Sequence, residues 1–294
     1  TTSATWRHIL GNGYFTFSGA YTWAEHNYQQ NRPLLSASFT SATVDREYSL
    51  QGDAVIQLGS KSEFAAGARV RFSQFDGSVS SLFAQPIAML GENIPKISSS
   101  LDTATAKASV YLQLSHSLGR LSITAGVRAD YYGLGANSPA IAPRFSAKLA
   151  ILTNLNLNAS VGRYYQSPSI LWYAANPYNA KLSPLGADHF IMGSEYLMGP
   201  ETVVGVEGYF KRYFQYPASL NRPYLVMANT GAAFTGAMEG FASFGIDSLE
   251  SKGIGHSRGI ELFIQKKMVN SPWYGILSVC HSATHALARR SAKL

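Results

Sequence analysis

From residue 187 to residue 213 the chain reads ADHFIMGSEYLM, GPET, VVGVEGYFKRY, two alternating runs about a turn at Gly199-Pro200. In the second run Val204, Val206, Gly208 and Phe210 share one parity, and Gly205, Glu207, Tyr209 and Lys211 share the other. Successive side chains of a strand point to opposite faces, so the alternation predicts a hairpin with one apolar and one polar face. The same period recurs over residues 3–9, 14–25, 46–58, 64–75, 103–118, 121–130, 144–149, 155–162, 255–267 and 273–279. Over residues 103–118, Ala106, Ala108, Val110, Leu112 and Leu114 oppose Lys107, Ser109, Tyr111, Gln113 and Ser115. About twelve strands are predicted, and helical periodicity is limited to a weak trace after Ser282.

The connections have a rhythm of their own. Short turns at Gly11, Ser60, Gly119, Thr153, Gly199 and Asn270 alternate with longer segments at 26–45, 78–100, 133–143, 167–186 and 217–252. A soluble sandwich has strands of about 5–6 residues and no reason to sort its loops by length. Runs of ten or more residues instead suit tilted membrane strands. Short turns at one end and long loops at the other suit an outer-membrane barrel. The apolar parity then faces lipid and the polar parity a wet interior. The fold expected is all-β: an antiparallel up-and-down transmembrane β-barrel, present in part.

Composition agrees. Only 14% of residues are charged, with 17 Tyr, 15 Phe and 26 Gly, against a globular norm of about 25% charged. Mean hydropathy is -0.03, so polar and apolar positions balance. The net charge of +7 permits acidic partners such as lipopolysaccharide, but no basic stripe points to nucleic acid. The single cysteine, Cys280, excludes an intrachain disulfide. No run approaches the roughly 20 apolar residues of a membrane helix. The start Thr1-Thr2-Ser3-Ala4 has neither a secretory signal nor an initiator methionine, and the chain is read as a fragment.

Several short elements, taken in order, carry a family likeness. Ala125-Gly126-Val127-Arg128-Ala129-Asp130-Tyr131-Tyr132 comes first, then Tyr164-Tyr165-Gln166-Ser167-Pro168 and Leu182-Ser183-Pro184. Next are Ala187-Asp188-His189, Gly193-Ser194-Glu195-Tyr196 and Glu207-Gly208-Tyr209-Phe210-Lys211-Arg212-Tyr213. Asn229-Thr230-Gly231 and Gly253-Ile254-Gly255-His256-Ser257-Arg258-Gly259-Ile260-Glu261 close the series. The chain resembles the barrel of TonB-dependent outer-membrane receptors, most clearly over residues 185–266. The resemblance implies a Gram-negative outer-membrane location and a full barrel of about 22 strands around a plugged lumen. It also implies active uptake of a large or scarce solute: a ferric siderophore, cobalamin or a glycan. The partners implied are outer-membrane lipid and lipopolysaccharide, the transported solute, and the TonB complex reached through a plug that this sequence lacks. On this reading residues 1–280 are partial barrel, and residues 281–294, where the alternation lapses, are an altered, non-barrel tail.

The polar parity supplies the candidate lumen lining: Arg69, Arg71, Lys107, Arg128, Asp130, Arg144, Lys148, Glu207, Lys211 and Glu261, with Asp53. Cations lead, which suits a path for an anionic solute. The plainer reading is that they pair across strands or with the plug. Trp172, Tyr173, Tyr178 and Tyr224 lie in predicted extracellular loops and are candidates for solute contact, against packing within the loop or an interfacial girdle.

Enzyme signals are weak. Gly255-His256-Ser257-Arg258-Gly259 fits G-x-S-x-G, but that elbow needs strand, turn and helix, and here a strand continues. His281 and His285 have helical metal spacing without the carboxylate of a metalloprotease motif. Cys280 is expected to be structural or lipid-facing. No cofactor, resident metal or catalytic residue is expected. The alternatives to a receptor are a passive porin with a constriction loop, and an outer-membrane phospholipase, which would need Ser and His adjacent on the lipid face.

Overall fold

A computed structural model describes residues 1–32, 37–83, 97–136, 139–220, 226, 248–268 and 274–288. Twelve strands form one antiparallel sheet, ordered in space as in sequence. They are β1 (Thr2–Leu10), β2 (Gly13–Arg32), β3 (Ala37–Gln57), β4 (Ser62–Phe83), β5 (Ile97–Leu118) and β6 (Leu121–Tyr132), followed by β7 (Ala140–Leu152), β8 (Leu155–Gln166), β9 (Leu185–Met198), β10 (Thr202–Ser219), β11 (Leu249–Lys266) and β12 (Gly275–Ala288). Between β8 and β9 lie a short helix, α1 (Ile170–Ala175), and a 3-10 turn, Pro177–Lys181. The all-β, up-and-down architecture is as the alternation predicts. The sheet is open, with β1 and β12 at its two edges. Among the described residues no helix is long and apolar enough to cross a membrane.

The two parities separate as expected. Val70, Phe72, Val110, Leu112, Val127, Phe145, Phe190 and Val206 stand exposed on the outward face. Water-soluble monomers rarely expose contiguous apolar patches above a few hundred Å². Tyr21, Trp23, Tyr48 and Tyr131 add exposed aromatics toward the long-loop end of the same face, as in the girdles of membrane barrels. At the other end Gly119 and Gly199 hold φ of 61° and 66° in two of the short turns. Both positions are open to solvent, but a positive φ strains any residue that carries a Cβ, which is why glycine closes these hairpins.

The inward face carries a device that parity alone does not show. Gly67 faces Tyr111, Gly205 faces Phe263 and Gly259 faces Tyr209 across neighbouring strands. In each pair the ring lies where a Cβ on the glycine would be. The aromatic covers the backbone that the glycine leaves bare and helps pin the register. At the first of these, Tyr111 donates to Asp53 at 2.9 Å.

The strands outrun the alternation. Residues 26–32, 78–83, 97–100, 217–219 and 249–252 were expected in loops but belong to β2, β4, β5, β10 and β11. Beyond an apolar belt both faces meet water, so backbone pairing continues without an alternating pattern to mark it. The 167–186 segment holds α1 and the 3-10 turn rather than irregular loop alone. The tail also differs from expectation. β12 pairs with β11 from Gly275 to Ala288, so residues 281–288 are strand, not a non-barrel segment or a helix. From 281 to 285 its outward positions are His281, Ala283 and His285, which are polar or small and so hide the period. Residues 289–294, the expected turn at Asn270-Ser271-Pro272 and the Asn229-Thr230-Gly231 element lie outside the described residues.

Candidate functional site on the concave face

Inward side chains of β3 to β8 converge on a recess of about 470 Å³. Strand register makes the cluster. Arg71 stands opposite Lys107, and Lys107 opposite Tyr132. Arg69 stands opposite Ser109, and Ser109 opposite Asp130. Asp45, Glu47, Arg128, Arg144 and Tyr165 complete the wall.

Five cations meet three carboxylates there, and the pairing is incomplete. Arg128 Nε donates to both oxygens of Asp130 at 2.9 Å, and Nη2 lies 2.8 Å from Oδ1. This fork is the strong geometry for guanidinium and carboxylate. Arg71 Nη1 lies 3.9 Å from Glu47, a long contact. Arg69 donates to the Gln51 amide, which donates to Asp53 at 2.6 Å. Arg144 lies 4.4 Å over the Tyr164 ring. Lys107 makes no ion pair among the described residues. Three of the five cations therefore keep charge that no carboxylate bonds directly. Asp45 Oδ1 and Thr105 Oγ1 are buried in the same wall without hydrogen-bond partners among the described residues. Such groups favour a polar occupant.

The segment between β8 and β9 roofs this recess, with Ser167 to Ile170 in its lining. α1 contacts β4 and β5. Asn179, at 0% exposure, is the latch. Its Nδ2 donates to Trp172 O at 2.8 Å, and its Oδ1 accepts from Leu249 N at 2.8 Å. Trp172, Tyr173, Leu182, Leu185 and Leu249 form a small apolar core, with Leu134 and Tyr216 packed on it. Ala136 N donates to Leu182 O at 2.9 Å, and Ser183 N to Ser251 Oγ at 2.8 Å. The roof is thus tied to β11 and to the segment after β6. Burial pushes the Tyr173 phenol pKa up.

Of the ten lumen candidates, Arg69, Arg71, Lys107, Arg128, Asp130 and Arg144 share this recess. The other four do not. Lys148 stands opposite Ser122 and Asn158. Glu207 and Glu261 oppose one another, and Glu261 accepts from Ser278. Lys211 lies 4.6 Å over the Tyr209 ring. Among the loop aromatics, Trp172 and Tyr173 are buried in the roof's own core, so packing rather than solute contact accounts for them. Tyr178 is exposed and donates to Glu250 at 3.1 Å. Tyr224 lies outside the described residues. Parity reading missed Glu47, although it shares the face of Asp53. It also missed Asp45, one residue before the predicted run.

The enzyme motifs resolve into strand. Residues 255–259 lie within β11, and Ser257 accepts from Thr284 at 2.9 Å. His281 and His285 share a face of β12, where four residues span about 13 Å, too far for one ion. Cys280 is exposed, on the parity of Ser278 and opposite Glu261, which is the inward side rather than a lipid-facing one. A Ser and a His do adjoin on the outward parity, the pair that an outer-membrane phospholipase would need. Ser62 Oγ lies 2.7 Å from His116 Nδ1, at the short-turn end. Ser62 falls just before the predicted run 64–75, which hid it. Among the described residues no third group orients His116 as a triad requires.

The family model for the TonB dependent receptor-like β-barrel matches residues 1–274. The chain belongs to this family. Among curated proteins no sequence match is found. Solved structures agree with the TonB-dependent receptor fold. The ferripyoverdine receptor of the outer membrane of Pseudomonas aeruginosa, bound to ferripyoverdine, superposes with a TM-score of 0.67 at 14% identity, over 97% of this chain and 40% of its own. The ferric yersiniabactin uptake receptor FyuA from Yersinia pestis gives 0.66 at 11%, over 96% and 42%. The RagAB peptide importer gives 0.58 at 12%, over 99% and 37%. This TonB-dependent receptor-like chain thus spans about two fifths of the proteins it superposes on.

Proposed function

We propose that the chain is barrel wall of a TonB-dependent importer in the outer membrane of a Gram-negative bacterium, and that its solute is anionic. The observation that carries this is the recess where Arg69, Lys107 and Arg144 lack a directly bonded carboxylate. Cations outnumber carboxylates in this recess, and an excess of one sign of charge in a cleft concentrates solute of the opposite sign. A ferric siderophore fits best among the solutes considered, since two of the superposed receptors carry names of that kind. Cobalamin and neutral glycans carry no net negative charge for three cations to use. Energy would come from the TonB complex through a plug.

The test is uptake in cells by the complete receptor that carries this barrel. Lys107→Gln with Arg144→Gln is expected to slow uptake of an anionic ferric chelate about tenfold at low ionic strength. Uptake of a neutral solute by the same receptor should not change. Equal loss for both solutes, or for neither, would remove the anionic reading.

A further inference from the structure

On β8 to β12 the outward face changes character at its long-loop end. One cross-strand row reads Val161, Phe190, Phe210, Arg258 and Ala283. The next row outward reads Arg163, Asp188, Arg212, His256 and His285. Nearer the short turns the same parity returns to Met192, Ile260 and Leu262, all exposed. An apolar surface therefore ends in a basic ledge.

The ledge has spare positive charge. Arg163 already holds Asp188, with Nε and Nη2 at 2.7 and 3.1 Å from its two oxygens. Lys252 bonds Glu250, the other carboxylate nearby. Arg212 and Arg258 are exposed and make no ion pair among the described residues. The His256 ring stacks on Phe210 at 6.2 Å and lies 5.2 Å from that of His285. Beside them is a recess of about 510 Å³, with Phe210, Arg212, Phe214, Ile254 and His256 in its wall. It opens where β10 bulges: the register shifts between Tyr213 and Tyr216, and Gln215 takes a φ of 58°. Bulges re-aim side chains at barrel rims.

We propose that this ledge binds the phosphate of an anionic outer-leaflet lipid of the lipopolysaccharide class. Guanidinium groups match phosphate oxygens in a fork. Below them Phe210, Ile260 and Leu262 offer the apolar surface that acyl chains require. Cationic and apolar parts lie in the order in which an amphiphile carries its own. The inference rests on the outward face being the lipid face.

The protein is extracted from outer membranes in neutral detergent. Native mass spectrometry then follows binding of diphosphoryl lipid A, its dephosphorylated counterpart and inorganic phosphate. Diphosphoryl lipid A should bind best. Arg212→Gln and Arg258→Gln should each weaken it about fivefold, and together about thirtyfold. Arg46→Gln, an exposed outward arginine on β3, should leave binding unchanged. Equal binding of the two lipids, an unaffected double variant, or equal affinity for inorganic phosphate alone would overturn the site. Protein that never enters micelles would instead remove the membrane reading beneath it. A micelle-bound, heat-modifiable barrel without phosphate preference would remove the lipid site alone.

Discussion

Val110→Arg lowers the stability of the barrel in a bilayer by about 2–4 kcal/mol. Val110 is 55% exposed and sits midway along the outward face of β5, opposite Ala68 and Ala129. No carboxylate stands beside it on those two strands, so the guanidinium meets only small apolar neighbours. In water the same change would be near neutral, because an exposed valine is lost and an exposed arginine gained. The penalty exists only if hydrocarbon lies against this face. Gln113→Arg, three residues away on the inward parity, is expected to cost under about 1 kcal/mol. Urea titration of folding into lipid vesicles measures both. Equal costs would mean that the two faces do not differ in solvent.

Asn179→Leu frees the roof without unfolding the wall. The carboxamide is fully buried and holds Trp172 O and Leu249 N together. Leucine has nearly the same volume and neither hydrogen bond. Two buried backbone groups lose partners, at about 1–3 kcal/mol each. Part of that returns when water reaches them, so about 2–4 kcal/mol of local stability is lost. Hydrogen exchange at Leu249 and across residues 170–182 should quicken about thirtyfold or more. Amides in the hairpin of β5 and β6 should keep their protection. Uniform loss of protection would show that Asn179 supports the whole sheet rather than its cover.

The features legible in the sequence and those that were not divide on a physical line. Alternation is written wherever two faces meet different solvents, so the outward and inward sets of β4, β5, β6 and β10 could be read directly. The same rule located Arg69, Arg71, Lys107, Arg128, Asp130 and Arg144 on one face. Which of them share a recess depends on register between strands, and Lys148 and Lys211 show that parity does not supply it. Strand ends beyond the apolar belt carry no contrast, which is why β2 and β4 ran further than expected. α1 is six residues long, too short to establish a helical period. Its Trp172 and Tyr173 face a core made by residues distant in sequence, above all Leu249. His281 and His285 misled for a different reason. Polar outward residues at the edge strand cancel the apolar signal while the backbone stays paired.

The most direct test of the two-solvent wall is a cysteine scan of residues 108–114 in β5, in a Cys280→Ser background, with the folded protein in lipid vesicles. A water-borne maleimide should label positions 109, 111 and 113. A lipid-borne quencher should reach probes at 108, 110, 112 and 114. Two labelling sets in strict alternation are the expected result. Labelling at every position, or quenching at none, would contradict a wall with lipid on one side and water on the other.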